Sequence, residues 1–112
     1  GYQAILDNKA YSRYTINNDH HNRMVHNYIA GLNRYSDSSN ELAFFSYIAG
    51  GFGANFDNQL NAIVEETGIN GCGMSVTNMI KLVESHSDKG YTHKNLRDIF
   101  SVNRQVLLSD FM

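Results

Sequence analysis

Residues 66–76 read ETGINGCGMSV, and they hold the only cysteine of the 112-residue chain. Cys72 stands between Gly71 and Gly73, just ahead of a stretch with helical spacing. Thiolates are favoured at helix N-termini, where free N–H groups and the dipole lower the thiol pKa. A nucleophile is one reading of this stretch; a small residue in a glycine turn is the other. A cysteine nucleophile needs a base within reach. The nearest histidines in the sequence are His86 and His93. His86 lies toward the far end of the helix that Cys72 would precede, roughly 15–20 Å away at 1.5 Å rise per residue. His93 reaches the thiol only if the following helix folds back. The turn reading is preferred, and Cys72, His86 and His93 stand as the candidate catalytic set of the alternative.

Outward from this stretch the pattern is helical. Met24, Val25, Tyr28, Ile29 and Leu32 share one apolar face, with Asn18 or Asp19 as cap. Ser38 and Glu41 have capping-box spacing, and Leu42, Phe44, Phe45 and Ile48 follow as the buried side of a second helix ended by AGGFG. A third helix runs from about Asp57 to Thr67 with Gly68 as its left-handed cap. Ser75 caps a fourth, carrying Val76, Met79, Ile80 and Val83 to Gly90. Thr92 caps a fifth, with Leu96, Ile99 and Phe100. Residues 1–21 lack a helical period and read as a linker or extended arm. The fold class expected is all-α: a five-helix cluster over residues 22–112, with Phe44, Phe45, Phe52, Phe56 and Phe100 in its core.

Composition narrows the function. A net charge of −2 and scattered basic residues offer no patch for nucleic acid, so nucleic acid is not the expected partner, and only RNA binding through a local site is left open. A lone cysteine makes no internal disulfide, which favours a reducing, cytoplasmic compartment. No apolar run approaches the length of a membrane span. The first residue is Gly, as in a fragment or processed product. His20, His21 and His26 lack the i,i+3 or i,i+4 spacing that metal ligation on one helical face requires. Glu65 and Glu66 point apart on a helix, and GGFGAN lacks the order of a phosphate loop. Neither metal nor cofactor is expected.

Read in order, the helical part resembles the C-terminal helical domain of the coronavirus main protease, a 3C-like cysteine protease. The segments that carry this are NRMVHNYIAGLN (22–33), SSNELAFF with GGF (38–52), LNAIVEETG (60–68), SVTNMIKLVESHSDKGYTHKNL (75–96) and LLSDFM (107–112). NGCGM departs from the family as an insertion, and the family's last helix is missing. The resemblance implies a non-catalytic, dimer-promoting domain of a polyprotein-processing cysteine endopeptidase. Its partners are then a second copy or preceding protease barrels, in the host cytoplasm. Asp110 falls where that family pairs with the partner's N-terminus, and Cys72 is then no nucleophile. The alternatives are a stand-alone effector enzyme using Cys72, and a small phage or bacterial interaction protein.

Overall fold

A computed structural model describes residues 1–35 and 41–112. The capping box expected at Ser38 lies outside the described residues. The chain runs β1 (Tyr2–Asn8), α1 (Asn18–Asn22), a π-helical segment (Arg23–Ile29), α2 (Ala30–Tyr35), β2 (Glu41–Ala49), α3 (Phe56–Thr67), β3 (Asn70–Ser75), α4 (Val76–Lys89) and α5 (His93–Phe100), with a final 3-10 turn at Leu108–Asp110. The three strands form one parallel sheet in the order β1-β2-β3. The fold is therefore mixed α/β, and the all-α expectation is wrong. Three segments carry the error.

The first is ELAFFSYIA, expected as a helix and observed as β2. Both faces of a central parallel strand are covered, so such a strand reads as a continuous apolar run rather than an alternation. Leu42 through Tyr47 are all buried. Phe45 and Tyr47 join a core with Phe56, Leu60 and Ile63. Phe44 faces the other way, against Phe100 with ring centroids 5.0 Å apart. Each fully buried side chain of this size stabilises by about 1.5–3 kcal/mol.

The second is NGCGMS, which is strand β3 rather than a turn. Its glycines answer to close approach. A Cβ on Gly71 would lie 2.5 Å from the Phe45 ring, and one on Gly73 would lie 2.5 Å from Phe56. Cys72 and Met74 point to the opposite face and pack with Leu82, Ile99 and Phe100. Residues 103–106 cover the outer edge of β3: Asn103 N donates to Gly71 O at 2.8 Å, and Val106 N donates to Gly73 O at 2.8 Å.

The third is the N-terminal stretch expected as an arm, of which residues 2–8 form β1. Its register pairs Ile5 with Phe45 and Asp7 with Tyr47. Side chains alternate along a strand, so Ile5 and Asp7 share the face of Phe45 and Tyr47.

In a sheet of order 1-2-3, crossovers of one hand put both connecting segments on the same face. Met24, Val25 and Ile29 accordingly join Leu60 and Ile63 in one core, while α4 and α5 supply Leu82, Ile99 and Phe100 to the other. Local signals hold in these helices. Gly68 caps α3 at φ 71°, Gly90 caps α4 at φ 63°, and the Ser75 and Thr92 hydroxyls accept from Asn78 N and Asn95 N. Asn17 caps α1, its side chain accepting from His20 N. Among the described residues no helix is long and apolar enough to cross a membrane.

Candidate active site at the carboxyl end of the sheet

Open parallel sheets place ligands beyond the carboxyl ends of their strands. Here that end is closed into a small platform. The segment after β1 and the segment after β2 pair with each other: Gly50 N donates to Tyr11 O at 2.8 Å, Tyr14 N to Gly51 O at 2.9 Å, and Gly53 N to Tyr14 O at 2.9 Å. GGFG thus serves as a backbone clasp. The clasp seats Tyr14, 1% exposed, against Tyr47 and Phe56, with ring centroids 5.3 and 6.1 Å away.

Asp7 and Lys9 lie on this platform. They are two positions apart, so the alternation of an extended chain carries both to one face. Lys9 N donates to Ile48 O at 2.7 Å, which extends the ladder past β1. The ammonium of Lys9 stands 3.2 Å from Asp7 Oδ2, and both side chains are largely buried, at 12% and 18% exposure. A carboxylate and an amine held together at a strand end present an acceptor for a hard cation or water proton and a point charge for an anion.

His20 completes the group from α1. Its Nδ1 is 2.8 Å from the Tyr14 hydroxyl. Its backbone carbonyl accepts from the Tyr47 hydroxyl at 3.5 Å. Burial, then the positive charges of Lys9 and Arg23, push the His20 pKa below its ordinary value, against the opposing pull of Asp7 and Asp19. Burial raises the Tyr14 and Tyr47 phenols well above theirs, with Asp7 adding to the rise in both. The phenols are therefore neutral donors.

Among the described residues no three His, Cys, Asp or Glu side chains converge as a metal cage. Asp7 offers one hard oxygen ligand. One carboxylate suits a magnesium ion that keeps most of its waters, rather than a resident ion enclosed by protein.

The residues singled out from sequence lie elsewhere. Cys72 is fully buried in mid-strand, and its thiol donates to Ser46 Oγ at 3.2 Å. Burial pushes its pKa up to about 12, the reverse of an activated nucleophile. His86 Nδ1 accepts from Tyr91 N at 3.0 Å, and its ring stacks on Tyr91. His93 starts α5, where its carbonyl accepts from the Tyr2 hydroxyl at 2.7 Å. Neither histidine is hydrogen-bonded to Cys72. Asp110 takes a two-pronged pair from Arg104, at 2.7 and 2.8 Å, and the Leu107 N–H at 2.7 Å. The structure brings none of these four together.

Sequence reasoning missed Asp7, Lys9 and Tyr14, and weighed His20 as a metal ligand, which its spacing from His26 does not suit. The signal was present in YQAILDNK, where Gln3, Ile5, Asp7 and Lys9 alternate onto one face of an apolar strand. An isolated stretch with this alternation does not declare a buried face; pairing with β2 does.

Comparison with known proteins points the same way. A family model described as "FokI, cleavage domain" matches residues 1–107. The structure of the restriction endonuclease FokI superposes with a TM-score of 0.79 at 23% identity, over 94% of this chain. The chain spans 21% of that protein's length. No curated protein matches.

These findings overturn the coronavirus protease resemblance, which rested on helix and turn residues common to many folds. The protease dimerisation domain, the preceding barrels and the Cys72 effector enzyme go with it. So does the basis for an interface at Asp110. The ground for expecting no nucleic-acid partner goes too, because net charge averages over the whole chain and does not describe one local site. The family model covers nearly the full length and the superposition shows the same fold, so the chain belongs to the FokI cleavage-domain family.

Proposed function

We propose that this chain is the cleaving part of a DNA endonuclease, hydrolysing phosphodiester bonds with Asp7 and Lys9 as its catalytic pair. The observation that carries this reading is the 3.2 Å Asp7–Lys9 contact at the carboxyl end of a parallel sheet, in a chain of this family. Hydrolysis adds a water oxygen to phosphorus and breaks one P–O ester bond. One water proton ends on the departing alcohol, and the other stays on the phosphate or passes to solvent. The site must therefore neutralise an anion that gains charge as water attacks, and hold the water in line.

Lys9 supplies a fixed positive charge for a phosphate oxygen. It lies close to Asp7, so the two orient each other before substrate arrives. Asp7 accepts a proton or hydrogen bond from the attacking water, and it is the residue that would hold a divalent cation. Such an ion, when bound, neutralises phosphate charge and acidifies water. Tyr14 and Tyr47 close the floor of the site and keep it dry on the protein side.

The reading includes a homodimer. The two strands of duplex DNA run antiparallel, and a twofold pair of identical sites presents the same groups to each.

The test is cleavage of supercoiled plasmid by the natural full-length protein with magnesium. Asp7→Asn and Lys9→Ala are each expected to slow cleavage by at least about 10²–10³-fold, the usual effect of removing one transition-state stabiliser. The folded state should be retained, since neither residue lies in the apolar clusters. Magnesium-dependent cleavage that survives Asp7→Asn unchanged would sink the assignment.

A further inference from the structure

The Asp7–Lys9 pair does not use every polar group at this end of the sheet. Tyr14 is 1% exposed, and among the described residues its hydroxyl has one hydrogen-bond partner, His20 Nδ1. A buried hydroxyl proton left without an acceptor costs about 1–3 kcal/mol. The arrangement that avoids this has the phenol donating to an unprotonated Nδ1. A neutral imidazole with a bare Nδ1 carries its proton on Nε2. The two ring nitrogens point in nearly opposite directions. Nδ1 is turned inward to buried Tyr14, so Nε2 of the half-buried ring is the nitrogen left to face outward; Tyr14 and Tyr47, the latter opposite Asp7 in the sheet, hold His20 at the same end of the sheet as the Asp7–Lys9 pair.

Resting on the endonuclease reading, we propose that His20 is a further catalytic residue: Tyr14 locks it as the Nε2–H tautomer, and Nε2–H donates to a non-bridging oxygen of the scissile phosphate beside Lys9. Lys9 is already partnered by Asp7, so its charge is partly spent, and a second donor on the phosphate completes the anion site. A neutral donor suits this position. Burial and the two cations Lys9 and Arg23 both work against an imidazolium there. The His20 backbone N–H donates to Asn17 Oδ1 at 2.8 Å, and the ring itself is held by the Tyr14 hydroxyl. Little freedom is then left to lose when substrate binds.

Two readouts on the natural full-length protein test this. Two-bond proton–nitrogen NMR correlation on histidine-labelled protein reads the tautomer without any need for activity. Wild type is expected to show His20 as Nε2–H, and Tyr14→Phe to release it into a mixture. An Nδ1–H tautomer or an imidazolium at neutral pH in wild type overturns the proposal. Single-turnover cleavage of a short DNA duplex with magnesium is the second. His20→Ala is expected to slow the cleavage step on the order of 100-fold with duplex affinity changed less than threefold. His20→Gln, whose carboxamide N–H reaches the same place, should recover at least tenfold of that. Circular dichroism on both variants confirms the fold. Wild type that cleaves alongside an equally active His20→Ala refutes the role of His20 and leaves Asp7 and Lys9 standing. Wild type that does not cleave duplex refutes the endonuclease reading, and the role of His20 with it.

Discussion

Replacing Gly71 by alanine tests whether the glycines of β3 exist for packing. The added Cβ would sit 2.5 Å from Cε1 and Cζ of Phe45 and 2.8 Å from Cε2. Ordinary contact begins near 3.4 Å, so the ring would have to retreat by about 0.9 Å. Phe45 is fully buried and set edge-on to Tyr47 at 6.2 Å, so the ring retreats only by displacing packed neighbours. Overpacking of this kind costs typically 1–3 kcal/mol. The stiffer unfolded chain of alanine returns about 0.4–1 kcal/mol. An overlap of about 0.9 Å with a fully buried ring puts the cost at the top of the overpacking range, so a net loss of about 2 kcal/mol is expected, or roughly 8–12 °C in Tm for a chain of this size.

The decisive version is a double-mutant cycle in urea, followed by far-UV circular dichroism. Phe45→Leu alone should cost about 1 kcal/mol through lost ring contacts. If the clash is the cause, the double variant loses about 1 kcal/mol rather than the 3 that additivity gives. The coupling would then be about 2 kcal/mol, within the range for residues in contact. Unchanged m-values would show that compactness is unaffected. A double variant as unstable as the sum of the singles would refute the packing argument, and Gly71 would need a backbone explanation instead.

Three other outcomes follow from the same coordinates. Cys72, its thiol raised to about 12 by burial, should resist iodoacetamide at pH 8 until the chain is unfolded; stoichiometric labelling of the folded protein within minutes would contradict this. Gly68 sits at φ 71° with open space around it, so Gly68→Ala should cost about 1 kcal/mol from backbone strain alone, and a neutral effect in thermal melts would refute the left-handed cap. The Arg104 hydrogen bonds hold the Asp110 carboxyl below its ordinary value of 3.8. The folded chain then releases that proton more readily than the unfolded chain. The stabilisation is full above the ordinary carboxylate range and is lost as pH falls through the folded value. Asp110→Asn should lower the urea midpoint at pH 7 and flatten its decline in acid; parallel curves for variant and wild type would count against the pair.

What the sequence by itself determined is local. The ends of α3, α4 and α5 are written in Gly68, Ser75, Gly90 and Thr92, because a cap is satisfied within four residues of chain and needs nothing from elsewhere. The helical spacing of Leu60, Ile63 and Val64 likewise marks the inward face of α3. The sheet was not legible in this way. LAFFSYIA is apolar on both faces only because helices cover both sides of β2, and periodicity cannot distinguish that strand from a buried helix. NGCGMS looks like a turn until the rings of Phe45 and Phe56 are seen lying on Gly71 and Gly73.

The site belongs to the same class. Asp7 and Lys9 are neighbours in sequence, and their alternation was there to be read, but only strand pairing with β2 makes it a face. Tyr14 and His20 meet Tyr47 through the clasp between residues 11–14 and 50–53, some 40 positions apart. Pairing across such separations depends on which surfaces the helices leave uncovered, a property of the assembled layers that no window of the sequence contains. Tertiary structure alone decided where the chemistry sits.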